Sequence, residues 1–291
     1  MREGDTLQRF LFDHSHVRGM LVHLSGSYQA VSERYDYPQW VQQQLGQALA
    51  ASSLLGSTIK FTGSLIMQLQ TSGAISMLVA QCTHDKHVRG LARWQDEANE
   101  GIENTTPFGQ GNMIITINSN RNEERYQGIV SMESGTLAKA IENYFQQSEQ
   151  LQTRLWLAAD ENQVVGMLLQ HLPGQEADKD IWERIETLGA TITNEELLTL
   201  STEDLLFRLF HEEEVRLFDP EPVSFRCSCS RDKIVNMLRT LGLDEANDII
   251  KEQGKISVGC DFCNQQYEFD RVDVEEVFAS STPAPGSSST H

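Results

Sequence analysis

Basic side chains are scarce in this sequence. Its 291 residues carry 23 Lys and Arg against 42 Asp and Glu, so the net charge at pH 7 is 23 − 42 = −19. Nucleic-acid binding usually begins with phosphate neutralisation by clustered Lys and Arg, and no basic run supplies it here. We therefore expect no nucleic-acid partner.

Long apolar runs are also missing. The most apolar stretches, such as residues 74–80, fall far short of the ~18 to 20 residues of a membrane span. The N-terminus lacks the apolar core of a secretory signal, so we expect a cytoplasmic protein with no membrane partner. Five cysteines are too few for a disulfide-built scaffold of this length. In a reducing compartment, clustered cysteines more often bind metal or carry out redox chemistry.

Catalytic signatures are absent from the sequence as well. The eight histidines are scattered, and there is no HExxH, GxSxG or P-loop pattern. Cys82 with His84 and His87 could form a nucleophile beside a base or a second metal site. A lone cysteine is more often a small buried residue at a strand end. The run at residues 211–214 could bind a cation, but such charge runs are usually solvated. We predict that the protein is not an enzyme.

Residues 1–173 alternate short β-type runs with helical patterns, without a repeat period, and predict one α+β domain. The candidate strands are residues 17–24, 57–61, 64–69, 74–81, 113–117 and 126–131. Residues 62–63 predict a hairpin turn. Helical spacing runs over residues 38–55 and 137–145, and we expect these helices to cover one side of a mixed sheet.

An acidic segment follows, which we predict to be a helical linker over residues 174–223. Between residues 174 and 221 it holds fourteen acidic against four basic side chains, a net charge of −10. Two apolar stripes recur at helical intervals, at residues 181–188 and 205–210, and residues 201–204 resemble a capping box. Two interpretations stay open. The segment is either a permanently packed subdomain or a marginal linker that uncovers its stripes, because short amphipathic helices depend on packing.

Four of the five cysteines lie in a predicted C-terminal module, residues 224–278, which precedes a predicted disordered tail over residues 279–291. They form the pairs Cys227-Ser228-Cys229 and Cys260-Asp261-Phe262-Cys263. Two close pairs separated by an intervening segment are typical of a four-thiolate zinc site, with one ion per chain. The common role of such a site is structural, and a purely structural zinc ribbon in a cytoplasmic adaptor remains the alternative.

A redox switch is the second interpretation of the module. Zinc keeps sulfur as the oxidisable thiolate, and a close pair becomes a disulfide without large chain movement once the metal leaves. A module with so little core would unfold without its metal. Because it follows the acidic segment directly, its unfolding would withdraw a packing surface from that segment and expose the apolar stripes.

The sequence resembles the redox-regulated thirty-three-kilodalton heat-shock chaperonin family over nearly its whole length. The C-terminal blocks of the resemblance are residues 195–200 (EELLTL), 205–215 (LLFRLFHEEEV), 219–220 (DP), 225–231 (FRCSCSR) and 260–263 (CDFC). The N-terminal blocks are residues 18–19 (RG), 37–38 (YP), 68–70 (QLQ), 89–93 (RGLAR), 125–130 (RYQGIV), 144–145 (YF) and 148–151 (SEQL).

The resemblance implies an ATP-independent holdase that is inactive while reduced and zinc-bound and becomes active under oxidative stress. It implies disulfides between Cys227 and Cys229 and between Cys260 and Cys263, with zinc release, unfolding of the linker and a change from monomer to homodimer. The implied partners are unfolded, aggregation-prone client proteins.

Client binding is assigned to apolar side chains of the linker. The hypothesis is that they become accessible on oxidation; the candidates are Trp182, Leu205, Leu206, Phe207, Leu209 and Phe210. In the alternative, these side chains remain core and the N-terminal sheet contacts the client, because one apolar stripe serves burial and binding equally well.

Overall fold

A computed structural model describes residues 4–95, 107–119, 125–132, 135–174 and 180–279. The chain forms two compact units, Met1–Arg226 and Cys227–His291. The described residues of the predicted linker belong to the first unit. The predicted tail lies outside the described residues, apart from Ala279, which ends the last helix. Within the described ranges, no helix is long and apolar enough to cross a membrane.

Sheet A of the first unit is antiparallel, with the strand order β10-β1-β2-β9-β8, and β11 also pairs with β1. Its strands are β1 (Thr6–Phe12), β2 (Val17–Leu24), β8 (Thr153–Ala159), β9 (Val164–His171), β10 (Val215–Leu217) and β11 (Glu221–Pro222). Strand β9 is buried over its first seven residues because both faces of sheet A are covered.

Sheet B has the order β12-β5-β4-β3-β6-β7, and all pairs are antiparallel except β12 with β5. Its strands are β3 (Gly63–Thr71), β4 (Ile75–Thr83), β5 (His87–Trp94), β6 (Gly111–Ser119), β7 (Arg125–Ser131) and β12 (Ser224–Phe225). Each long strand alternates between buried and more exposed positions, which is the pattern of a sheet with one face on the core.

Helix α2 (Gln39–Thr58) packs against both sheets and centres the main core. Its Ala- and Leu-rich sequence favours a helix, and its buried residues contact both sheets. The shorter α1 (Gly26–Ser32) lies beside β12, and α3 (Leu137–Tyr144) continues into a π-helical turn, Phe145–Glu149. The expected single sheet with helices on one side is therefore replaced by two sheets with α2 between them.

Two local predictions are wrong. Residues 57–61 are not a strand, because the Ser57 and Thr58 hydroxyls donate to the carbonyls of Leu54 and Leu55 and remain in the last turn of α2. Residues 62–63 are not a hairpin turn, because a helix precedes them and Gly63 begins β3.

From residue 180 onward the acidic segment forms three short helices: α4 (Ile181–Gly189), α5 (Asn194–Thr199) and α6 (Thr202–Phe210). Their apolar faces pack on the side of sheet A that faces away from α2, in a second core cluster. The Ser201 hydroxyl caps α6 by accepting the Asp204 N–H, as predicted, and a full capping box joins Thr193 and Glu196 at α5.

The described part of the second unit, which ends at Ala279, holds three helices and a hairpin: α7 (Arg231–Leu241), α8 (Leu243–Gln253), β13 (Ile256–Gly259), β14 (Gln266–Phe269) and α9 (Arg271–Ala279). Its core cluster is small; the buried side chains are Leu238, Ala246, Ile256, Phe269 and Val274. So small an apolar core supplies little folding free energy by itself.

Candidate metal centre

The four cysteines of the second unit lie at two turns. Cys227 and Cys229 precede α7, while Cys260 and Cys263 occupy the turn between β13 and β14. That turn is closed by hydrogen bonds from the Asn264 N–H to the Cys260 carbonyl (2.8 Å) and from the Cys260 N–H to the Gln265 carbonyl (3.0 Å). Asn264 adopts φ 57°, a left-handed conformation that asparagine tolerates well, and it reverses the chain.

The four sulfurs come together. Every Sγ lies within 4.8 Å of the other three, with 3.6 Å between Cys227 and Cys260 and 3.3 Å between Cys229 and Cys263. Four thiolates around zinc at ~2.3 Å would be about 3.8 Å apart, so the cluster fits a tetrahedral ion. In the part of the chain that the structure describes, no other group of three potential ligands converges in this way. These four side chains can hold a metal ion.

The electrostatics of the cluster favour a cation. Partial burial raises the pKa of Cys227, but the backbone N–H of Cys229 and the neighbouring thiols stabilise its thiolate, and the pKa falls to about 7. Burial and the adjacent sulfurs raise the pKa of Cys263 to about 12. Four thiolates so close together repel one another, and a bound cation relieves that repulsion.

Surrounding side chains hold the CxC loop in place. The Tyr267 hydroxyl donates to the Cys229 Sγ (3.2 Å), and the Lys233 ammonium donates to the Ser228 carbonyl (2.6 Å). The Arg231 guanidinium lies over the Phe269 ring at 4.2 Å and pairs with Asp273. Such outer contacts orient metal ligands. Sequence reasoning missed Tyr267, and the alternation of β14 gave no sign that its hydroxyl meets a sulfur.

Cys82 has the character of a buried structural residue. Its side chain is 2% exposed, and burial raises the pKa of its thiol to about 12. A protonated, inaccessible thiol is a poor nucleophile and a poor ligand. The neighbouring histidines face other partners. The His84 Nε2 lies 3.4 Å from the Asp85 Oδ1, and the His87 Nε2 lies 3.3 Å from the Arg226 Nη1. In the run at residues 211–214, Glu213 pairs with Arg184.

The proposed client-binding side chains are mostly covered. Five of them belong to the second core cluster and are at most 6% exposed; they are Trp182, Leu205, Leu206, Leu209 and Phe210. The sixth, Phe207, is 73% exposed, and its ring lies 5.7 Å from the ring of His211. The structure therefore separates one accessible aromatic side chain from five that α4–α6 bury against sheet A.

The family model described as Hsp33 protein matches residues 5–270. The chain belongs to the Hsp33 family. The 33 kDa chaperonin of Nitrosococcus oceani is 52% identical over 291 residues, with both chains fully covered, and that of Methylobacillus flagellatus is 44% identical over 294 residues, again with full coverage.

A crystal structure supports the fold of this Hsp33 chain. The 33 kDa chaperonin of Thermotoga maritima aligns with a TM-score of 0.81 at 23% identity, covering 94% of this chain and 98% of that one. The predicted α+β class and family are confirmed. Hsp33 proteins are chaperones rather than enzymes, and the prediction of a non-enzyme is confirmed with them.

Proposed function

We propose that this protein is a redox-regulated, ATP-independent holdase that binds unfolded proteins and prevents their aggregation under oxidative stress. The observation that carries the proposal is the cluster of four sulfurs within 4.8 Å in a member of a chaperone family. A cluster of oxidisable thiols gives such a chaperone a means of sensing oxidant.

In the inactive, reduced state, Cys227, Cys229, Cys260 and Cys263 hold one zinc ion per monomer. The donor set fits, because four soft thiolates at tetrahedral spacing suit zinc. When bound, zinc cross-links the two turns and keeps the sulfurs deprotonated. The outer contact from Tyr267 to Cys229 stabilises that thiolate through a hydrogen bond.

Activation is oxidation of two cysteine pairs, Cys227 with Cys229 and Cys260 with Cys263. For each pair, two thiolates give up two electrons to one hydrogen peroxide, which takes up two protons from solvent, so that one S–S bond forms, the O–O bond breaks and two waters leave. The sulfurs thereby lose the negative charge that retains the metal. Zinc release removes the cross-links from a unit with a small core, and that unit unfolds.

Unfolding spreads to the acidic linker, residues 174–223. Its helices are short, so their stability depends on packing against sheet A. Release exposes Trp182, Leu205, Leu206, Leu209 and Phe210, which join Phe207 as an apolar surface for clients. The activated chain forms a homodimer.

The functional parts of the chain are then the chaperone domain (residues 1–173), the linker (174–223) and the redox module (224–278), and no role is assigned to the tail (279–291). The protein works in the cytoplasm, where thiols stay reduced until oxidant appears. Its net charge of −19 disfavours nucleic acid as a partner.

Light scattering from a heat-unfolded client tests this function. The reduced, zinc-loaded chain should leave aggregation unchanged, the peroxide-treated chain should suppress it, and reduction should restore the first behaviour. Cys82→Ser is the matched control, because Cys82 is buried in the first unit and should leave the switch intact. Equal behaviour of reduced and oxidised chains would favour the structural zinc ribbon instead.

A further inference from the structure

Residues 214–226, which we call the strap, run along one edge of each sheet of the first unit. Strands β10 and β11 cover the edge of β1 in sheet A, and β12 covers the edge of β5 in sheet B. Backbone N–H groups of the strap donate to both edges, at 2.9 to 3.2 Å. At the β1 edge, Phe218 donates to the Arg9 carbonyl and Val223 to the Asp5 carbonyl. At the β5 edge, Ser224 donates to the Lys86 carbonyl and Arg226 to the Val88 carbonyl.

A sheet edge is a ready template for another extended chain, and proteins that expose one invite strand addition. Here both edges are occupied by pieces of the chain itself, and the pieces are very short. Strand β10 has three residues, while β11 and β12 have two each. So few ladder bonds hold an edge closed only weakly, and the cover ends at Arg226, directly before Cys227.

Two tripeptides of the strap share a side-chain pattern. Val215-Arg216-Leu217 and Val223-Ser224-Phe225 both place a polar residue between two apolar ones. Val215 and Leu217 pack against the second core cluster, whereas Val223, 5% exposed, and Phe225 pack on the main core. The Arg34 guanidinium lies over the Phe225 ring at 5.4 Å. Each edge therefore offers sites for alternate apolar side chains.

A charged contact joins the two edges. The Glu221 carboxylate pairs with the Arg9 guanidinium of β1 and with the Lys86 ammonium beside β5, both at 2.5 Å. When the strap leaves, these two cations remain at the edges without this carboxylate. A segment that replaces the strap is favoured if it carries an acidic residue two positions before its first apolar side chain.

We propose that the strap is an internal substitute for client, and that the edges of β1 and β5 bind extended segments of unfolded chains once it is displaced. The occupant is a strand with apolar side chains at alternate positions, preceded by an acidic residue. Short segments of high β-propensity are the ones that aggregate through β-pairing. This inference rests on the proposed chaperone function and adds the form in which the client is held.

A labelled peptide with the sequence of residues 219–226 (DPEPVSFR) probes the β5 edge by fluorescence anisotropy. The full-length chain is used reduced and zinc-loaded, peroxide-treated, and as the reduced variant Phe225→Ala, which loosens the strap without oxidant. Phe218→Ala is its control, since the Phe218 side chain is 43% exposed and its loss removes no backbone bond of the strap.

Backbone methylation separates strand addition from simple apolar contact. Methylating the nitrogen equivalent to Ser224 removes a donor to β5, whereas the nitrogen of Phe225 faces away from β5 in a parallel ladder. We expect binding to the oxidised and Phe225→Ala chains but not to the reduced wild type or Phe218→Ala. Methylation at Ser224 should weaken binding about tenfold, methylation at Phe225 much less, and an unfolded client should displace the peptide.

Equal binding of the two methylated peptides, or failure of client to displace the peptide, would overturn the proposal. So would a concentration-dependent dimer that excludes the peptide, because a second copy's strap would then occupy the edges. If the oxidised chain suppresses aggregation while methylation has no effect, the chaperone function stands and the edge site fails. If oxidation gives no chaperone activity, that function fails, and the Phe225→Ala chain still decides whether the opened edge takes a strand.

Discussion

Truncating Leu209 should open the α4–α6 layer in the reduced protein. Leu209 is 2% exposed and packs in the second core cluster against sheet A. Replacing a buried Leu by Ala costs about 2 to 5 kcal/mol, according to how far the site collapses. At about 3 kcal/mol the population of the opened layer rises roughly a hundredfold, since each 1.4 kcal/mol is a factor of ten. The layer is vulnerable because its three helices are at most nine residues long.

Native-state hydrogen exchange of the reduced, zinc-loaded chain measures this opening. Leu209→Ala should accelerate exchange of the α6 amides by about that factor, while the exchange of β3 and β4 in sheet B stays unchanged. Phe207→Ala is the matched control on the same helix: its side chain is 73% exposed, so its loss should change exchange little. Unchanged α6 exchange in Leu209→Ala, or an equal change in both variants, would refute the packing argument.

Three further predictions concern the metal centre, the strap and a helix cap. Cys227→Ser should abolish stoichiometric zinc binding and lower the helicity of the second unit, whereas Cys82→Ser should retain the metal. Elemental analysis measures the zinc content and circular dichroism the helicity. Full zinc content in Cys227→Ser would contradict the prediction. Burial raises the pKa of Glu221, but the hydrogen bonds from Lys86 and Arg9 lower it by more. The pKa therefore lies below its ordinary value near 4.5. The stability contributed by the Glu221 charge is present above pH 4.5 and is lost as pH falls through the lowered pKa. The difference in melting temperature between wild type and Glu221→Gln should therefore vanish below that pKa. A difference that persists at lower pH argues against the ion pairs. Thr193→Ala removes a capping box and should lower the free energy of unfolding, measured in urea, by about 1 kcal/mol. Thr187→Ala, at an exposed mid-helix position, should lower it by less. Equal losses in the two variants would count against the cap.

The cluster of four cysteines could be predicted from the sequence because its signal is a spacing. Cys227 and Cys229 are two positions apart and Cys260 and Cys263 three, and two such pairs are typical of a four-thiolate site. Tyr267 was not accessible, since its hydroxyl reaches Cys229 only through the register of β13 with β14. The helices α4 and α6 could be predicted because their apolar residues recur at helical intervals over about two turns.

Several strands of the two sheets could not be predicted from the sequence. Strand β9 is buried on both faces and lacks the alternation that marks a half-exposed strand. Thr58 and Ile59 are β-branched and favour strands, yet the Ser57 and Thr58 hydroxyls donate to carbonyls of the preceding helical turn. The covering strands β10, β11 and β12 are two or three residues long, too short for any periodicity, and only the tertiary structure reveals that they close the edges of two sheets.

The most direct test of the redox switch is zinc release during peroxide treatment at mild heating. A metallochromic dye follows the metal while light scattering follows aggregation of an unfolded test protein in the same sample. The switch predicts loss of about one zinc per chain, as four thiolates on one ion require, with suppression of aggregation arising in step and both changes reversing on reduction with added zinc. Zinc that stays bound, or that leaves without any gain in client holding, would contradict the switch and leave the centre a structural one.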